Sequence, residues 1–333
     1  MPAMTEPVDI PSLTVGSRVQ SMFLLLDVEV RTPQSGDPFT VITLGNTTGR
    51  IKTEPFWSER QQEVAGLKSG HVVQVTGDVQ AYRDRLQLRV TSLTHVPKDG
   101  VNIYALLPSV GPVDRYWNTL DGWRREITKP RLRAVIDLFY EEDVFRQRYE
   151  RCPAAVFGHH AQLGGLLKHT TEVAAIGRTI ARACGADADL VLAGVLLHDI
   201  GKLEAYRWDG PFETTNIGRL LGHVALGVLV LDRRLDEEQE PPCTELERDL
   251  LLHLILSHHG RLEWGAPVTP MTLEAEVLHW ADNASAKTAG ISDILKDDGN
   301  FPDGLVSASQ RMFDYRRVFR GQSDWGLSDT DST

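Results

Sequence analysis

Two different periods of apolar residues divide the 333-residue chain. From residue 14 to 96, apolar and polar side chains alternate in short runs, the period of half-buried strands. The runs cover residues 19–31, 39–44, 50–56, 72–77 and 86–91. Turn-forming stretches separate them at 33–38, at Asn46 and Gly49, and at 82–85. A polar stretch at 58–67, between the third and fourth runs, is compatible with a helix. Five strands with a helix after the third is the order of an OB barrel, which is expected over 14–98 behind an N-terminal extension of residues 1–13.

Residues 97–112 hold Pro97, Gly100, Pro108, Gly111 and Pro112 and read as a linker. From residue 113 to 150 the period becomes helical, with Tyr116, Trp117, Leu120, Trp123, Leu132, Val135, Ile136 and Phe139 as packing positions. A helical domain is expected over 151–315, followed by a small, polar tail at 316–333 that is expected to be disordered. The predicted fold class is multidomain: an all-β OB barrel joined to an all-α helical bundle, not a parallel α/β sheet. The aromatic residues Tyr116, Trp117 and Trp123 suggest a homo-oligomer contact.

The net charge of −11 at first opposes a nucleic-acid partner. Residues 1–98 are neutral, however, with 10 Lys/Arg and 10 Asp/Glu, so the helical part holds the whole deficit. An acidic domain binds phosphates only where metal ions neutralise it locally. Cys152, Cys184 and Cys243 are too widely spaced for a CxxC pair, which argues against a disulfide framework or a thiolate zinc site. No apolar run approaches the ~20 residues of a membrane span. The first ten residues lack the basic and apolar regions of a signal peptide, so a cytoplasmic location is expected.

The chemistry centres on residues 190–202, an apolar run ending in His198 and Asp199, then Gly201 and Lys202. Nine of the eleven histidines lie between His159 and His279. His169 shares a helical row with Leu166, Val173, Ile176 and Ile180, and His223 shares one with Leu226, Gly227 and Val230. His258 follows Leu251 and Leu254, and Asp282 follows Ala275 and Leu278. Several inward polar groups, each costing a few kcal/mol if left unpaired, point to a bound cation. His169, His198, Asp199, His223, His258, His259 and Asp282 are too many for one tetrahedral site and suit two ions bridged by Asp199. Imidazole and carboxylate without thiolate select Mn²⁺, Fe²⁺, Co²⁺ or Zn²⁺ and admit Mg²⁺.

Lys202, Arg219 and Lys287 are candidate phosphate contacts, with His159 and His160 at the pocket mouth; His253 and His279 read as core or surface residues. In the barrel, Phe39, Phe56, Trp57 and Tyr82 could stack on bases, with Arg31, Arg50, Lys52, Arg83 and Arg85 nearby for phosphates.

The segments HHAQLGGLLKH (159–169), HDIGK (198–202), GRLLGH (218–223), ILSHHG (255–260) and ADNASAK (281–287) resemble the HD-domain metal-dependent phosphohydrolases. More narrowly they resemble the YhaM-type exoribonucleases, whose members place an OB fold before an HD domain. The resemblance implies 3′-to-5′ trimming of single-stranded RNA, and sometimes DNA, with Mn²⁺ favoured. It also implies metal binding by the His and Asp set and phosphate contact by Lys202. Two other readings are an HD-type nucleotide phosphohydrolase or cyclic-nucleotide phosphodiesterase, and a nucleic-acid-binding adaptor with an inactive HD domain. The cyclic-dinucleotide branch typically carries a Gly-Tyr-Pro element, absent from this chain. The complete ligand set argues against an inactive domain.

Overall fold

The computed structural model describes residues 8–33, 36–82, 85–97, 99, 101–158, 160–302 and 304–321. Strands β1 (Arg18–Arg31), β2 (Phe39–Gly45), β3 (Arg50–Thr53), β4 (Val72–Tyr82) and β5 (Arg85–Val96) close a barrel in the order β1-β2-β3-β5-β4. Only β3 and β5 pair in parallel. A 3₁₀ turn (Ser58–Arg60) and the short helix α1 (Gln61–Val64) follow β3, completing the OB topology.

Alternation fills the barrel from one face of each strand. Phe23, Leu25, Ile42, Leu44, Val75 and Leu88 meet inside. The register of β1 against β2 shifts between Leu25 and Asp27. Neighbouring Leu24 and Leu25 are both buried, Leu25 in the barrel and Leu24 in a second cluster outside it. At a second shift, between Thr76 and Gly77, a Cβ on Gly77 would lie 2.4 Å from the Arg89 carbonyl oxygen, so only glycine fits.

Two expectations need correction and a third gains detail. The third strand ends at Thr53 rather than Phe56, because Pro55 has no N–H to give the ladder; Phe56 returns only as an isolated bridge to Thr40. Residues 97–112, read as a linker, make packing contacts. Leu106 and Leu107 pack with Leu24, Val72 and Leu163, and Leu163 N–H donates to the Pro108 carbonyl while its own carbonyl accepts from Val110 N–H, tying the segment to the start of the bundle. The tail is ordered at its start: Ser307, Gln310 and Arg320 N–H groups donate to Val318, Arg316 and Leu305 carbonyls, while residues 322–333 lie outside the described residues.

The bundle comprises α2 (Asp114–Glu126), α3 (Pro130–Tyr140), α4 (Asp143–Tyr149), α5 (Gly165–Cys184), α6 (Ala188–Leu197), α7 (Lys202–Ala205), α8 (Asn216–Asp236), α9 (Glu245–Ser257) and α10 (Leu273–Lys296). A small hairpin, β6 (Tyr206–Arg207) and β7 (Glu213–Thr214), lies between α7 and α8. Helix α6 is apolar all round and buried from Val191 to Leu197, as a central helix must be. Asp187 caps its start by accepting from the N–H groups of Asp189 and Leu190. Trp117, expected at a self-association surface, is instead buried against Tyr140 and Tyr149. Among the described residues no helix is long and apolar enough to cross a membrane.

Phe56 is wholly buried in the barrel. Phe56→Ala is expected to destabilise the barrel by roughly 3–5 kcal/mol. Urea unfolding followed by the neighbouring Trp57 fluorescence measures this, and a loss below roughly 1 kcal/mol would contradict the core assignment.

Candidate metal centre

Helix α6 runs through the core and ends at His198, its C-cap, so the next residue, Asp199, also lies in the interior. Helix α9 ends the same way at His258. In both, the ring Nδ1–H donates to the carbonyl three residues back: Val195 at 2.7 Å and Ile255 at 2.7 Å. This bond leaves Nε2 as the free end of each neutral imidazole. His169, on α5, is held similarly. Its Nδ1 lies 3.1 Å from Ser285 Oγ, which itself donates to Glu172 at 2.9 Å, so His169 Nδ1 is the donor.

Helix α8 is two helices joined at Gly222, whose φ of +74° and ψ of 157° break the turn just before His223. Gly201 sets the other boundary. A Cβ there would stand 2.0 Å from the His223 carbonyl oxygen and 2.3 Å from Gly227 N, so only glycine lets α7 and α8 approach this closely.

These elements surround one carboxylate. Asp199 Oδ1 is 3.4 Å from His223 Nε2 and 3.9 Å from His258 Nε2. Asp199 Oδ2 is 3.1 Å from His198 Nε2, 3.5 Å from His169 Nε2 and 2.6 Å from Lys202 Nζ. Asp282 adds an oxygen 3.0 Å from His169 Nε2, and His259 packs edge-on to His258 with ring centres 4.2 Å apart. All seven expected ligands therefore converge.

The arrangement fits divalent metal. The unprotonated Nε2 atoms of His169, His198 and His258 face a carboxylate, an electrostatic conflict that a cation resolves. Asp199 Oδ1, His223 Nε2, His258 Nε2 and His259 Nδ1 are buried with no hydrogen-bond partner, the orphaned atoms that a metal would satisfy. Two triads have donor atoms within 4.8 Å of one another: His223, His258 and His259, and His169, His198 and Asp199. The Asp199 oxygens face one triad each.

Electrostatics favour the ligating forms of His258, His223, His169 and Asp199. Burial, followed by repulsion from His259 and His198, holds His258 well below the ordinary imidazole range, and burial pushes His223 down to about 3. Burial also lowers His169. Burial would raise Asp199, yet the facing His198 and Lys202 charges outweigh it and hold the carboxyl well below its usual range. For His198 burial disfavours charge, but Asp199 outweighs it and the net shift is upward.

The other candidates divide. Lys202 is buried on Asp199. Arg219 is exposed on α8 ahead of the Gly222 break. Lys287 points over the Trp264 and Phe313 rings. His160 is buried, with Nε2 3.0 Å from Glu172 Oε2. His159 and Arg83 lie outside the described residues. In the barrel, Phe56 cannot stack on a base because it is wholly buried. Trp57 is 42% exposed and packs against Phe39, ring centres 4.7 Å apart, while Tyr82, Arg50 and Arg85 are exposed. Arg31 and Lys52 both pair with Glu29, which cancels part of their charge.

The HD domain family model matches residues 166–287, a span that begins just before His169 and closes just after Asp282. Two relatives extend the match across the barrel. The 3′-5′ exoribonuclease YhaM of Shouchella clausii (strain KSM-K16) is 31% identical over 312 residues, 90% of this chain and 93% of that protein. The 3′-5′ exoribonuclease YhaM of Bacillus subtilis (strain 168) is 31% identical over 313 residues, 92% of this chain and 96% of that one. The chain belongs to the YhaM exoribonuclease family. Because both matches run nearly end to end, this kinship covers the barrel and bundle together.

Sequence reasoning passed over Glu172, Ser285 and His279. Glu172 stands three residues after His169, and Ser285 three after Asp282, the helical spacing that would have flagged them. His279, read as core or surface, supports the centre from below: its Nδ1 bonds the His258 carbonyl at 3.0 Å. A Cβ on Gly260 would come within 2.5 Å of the His279 ring.

Removing the hydroxyl that orients His169 tests the geometry. Ser285→Ala is expected to weaken Mn²⁺ affinity by roughly 10- to 100-fold while the far-ultraviolet spectrum is unchanged. Calorimetric titration of the metal-free protein reads it; unaltered affinity would mean that His169 is not a ligand.

Proposed function

We propose that this protein is a metal-dependent 3′-to-5′ exonuclease that hydrolyses single-stranded RNA, and also single-stranded DNA, one nucleotide at a time. The observation that carries this reading is the gathering of six His and Asp residues around the buried Asp199, in a member of an exoribonuclease family. His169, His198, Asp199, His223, His258, His259 and Asp282 would hold two divalent ions with Asp199 between them; Mn²⁺ is favoured, and Mg²⁺, Fe²⁺, Co²⁺ or Zn²⁺ suit the same donors. When bound, such ions supply water acidified towards neutral pH and relief of negative charge on the phosphate.

In the reaction, water adds to phosphorus, the P–O3′ bond breaks and a proton passes to the leaving 3′-oxygen. The products are a nucleoside 5′-monophosphate and a strand shorter by one nucleotide. Lys202, anchored on Asp199, puts a fixed positive charge beside the reacting phosphate and can donate to one of its oxygens. Arg219, Lys287, His159 and His160 serve phosphates and sugars farther out.

The barrel holds the strand behind the reacting end. The Trp57 and Phe39 rings form a platform indifferent to base identity, and Tyr82, Arg50, Lys52, Arg83 and Arg85 would add stacking and phosphate contacts to the strand. This supplies affinity that the acidic helical part lacks.

A time course on 5′-labelled single-stranded RNA with Mn²⁺ is expected to show a ladder shortening from the 3′ end. Asp199→Ala, or removal of metal by a chelator, should slow it by roughly 10²-fold or more. No cleavage by folded, metal-loaded protein would sink the exonuclease reading, and equal cleavage by the mutant would place the chemistry elsewhere. Separately, Trp57→Ala is expected to weaken binding of single-stranded RNA by roughly 5- to 150-fold, the loss of one stacked base. Unchanged affinity in an anisotropy titration would remove this platform from the path of the strand.

A further inference from the structure

Helices α5 and α10, which carry His169 and Asp282, also form the two walls of a cleft of about 550 Å³ beside the metal centre. Lys168 and Glu172 line it from α5, and Thr288, Ser292, Asp293 and Lys296 from α10. The cleft and the centre are joined directly, since Glu172 accepts from Ser285, which in turn holds His169. Along α10, Ala289 in the cleft lies seven residues beyond Asp282, roughly 10 Å of helix rise and on the same face. That is the reach of a nucleoside whose phosphate sits at the centre.

The charges of the cleft are matched within it. Lys168 Nζ is 3.8 Å from Glu172 Oε1, and Lys296 Nζ is 3.7 Å from Asp293 Oδ1. Cations already paired with carboxylates make a poor phosphate site, whereas mixed donors and acceptors suit a neutral sugar. The rim is built rather than loose. His160 adopts φ of +56°, a strained value for a bulky residue, and its carbonyl accepts from Ala154 N–H. A Cβ on Gly165 would lie 2.0 Å from that carbonyl oxygen, so the turn is packed tightly against α5.

Glu172 is the polar group turned into this space. Its Oε2 is engaged by Ser285 and His160, while Oε1 faces Lys168 beyond hydrogen-bond distance. Burial would raise its pKa, but the hydrogen bonds from His160 and Ser285 hold it below the usual carboxylate range. Its Oε1 meets Lys168 only as an ion pair at 3.8 Å, so it can still accept a hydrogen bond from a ligand.

We infer that the cleft receives the sugar of the 3′-terminal nucleotide and that Glu172 accepts a hydrogen bond from its terminal hydroxyl. This rests on the exonuclease reading and adds a specificity to it. A carboxylate at this point welcomes a hydroxyl end and repels a phosphorylated one. The chain thus selects RNA ending in a free 3′-hydroxyl.

Product binding tests the cleft without turnover. In calorimetry on the Mn²⁺-loaded full chain, adenosine 5′-monophosphate is expected to bind at least roughly tenfold tighter than adenosine 3′,5′-bisphosphate. Glu172→Gln should remove most of that difference, and Ser292→Trp, which fills the cleft, should weaken both nucleotides with metal content unchanged. Equal binding of the two nucleotides to the unaltered protein, or failure to bind either, would overturn the assignment. So would a preference that survives Glu172→Gln, because the carboxylate would then act only on His169 through Ser285. Parallel time courses on RNA with 3′-hydroxyl and 3′-phosphate ends separate the two readings. A nucleotide preference without a ladder on either RNA would remove the exonuclease reading and leave the cleft as a nucleotide site.

Discussion

Asp199 is a carboxylate almost wholly withdrawn from water, and the helical half of the protein is arranged so that this can be tolerated. An unpaired ion in such a place would cost several kcal/mol. Here each oxygen faces imidazole nitrogens, and one also takes the Lys202 ammonium. The apolar helix α6 delivers the residue to the core. The ends or inner faces of α5, α8, α9 and α10 then supply the partners. Nitrogen lone pairs from four helices around a carboxylate are reconciled only by positive charge, which Lys202 supplies in part and a bound cation would complete.

Local devices aim those partners. Helices α6 and α9 both end in a histidine that bonds its own last turn, so one backbone motif orients two rings. Glycine at 201 and 260 lets backbone and ring come closer than a methyl group permits. Their contribution is steric, and it fixes ligand positions from outside the ligand shell.

The sequence made the metal centre legible because a polar residue on an apolar helical face has few physical explanations. His169 among Leu166, Val173 and Ile176 is such a residue, and so is Asp282 after Ala275 and Leu278. Parity along a strand was less informative: of Phe56 and Trp57 one had to face inward, and nothing local decided which. Pro55 decided the strand boundary, through a missing donor. Helical spacing could flag Glu172 and Ser285 singly, but their linkage from His160 to His169 joins a loop and two helices whose relative placement is a tertiary fact. The packing of the linker was not legible either. Its Pro and Gly residues announced a connection, but Leu106 and Leu107 anchor it to both bodies.

That anchoring bears on how a strand is held. Leu24, Val72, Leu106, Leu107 and Leu163 form a continuous apolar seam, and Leu163 is also stitched by backbone hydrogen bonds to Pro108 and Val110. With barrel and bundle joined along this seam, the spacing between the Trp57–Phe39 rings and Asp199 is set, and on the proposed path of the strand it acts as a ruler. Strands longer than the ruler touch both ends at once; strands shorter than it lose the barrel in a single step. On that proposed path, degradation would end in a short remnant, released when it no longer spans the molecule.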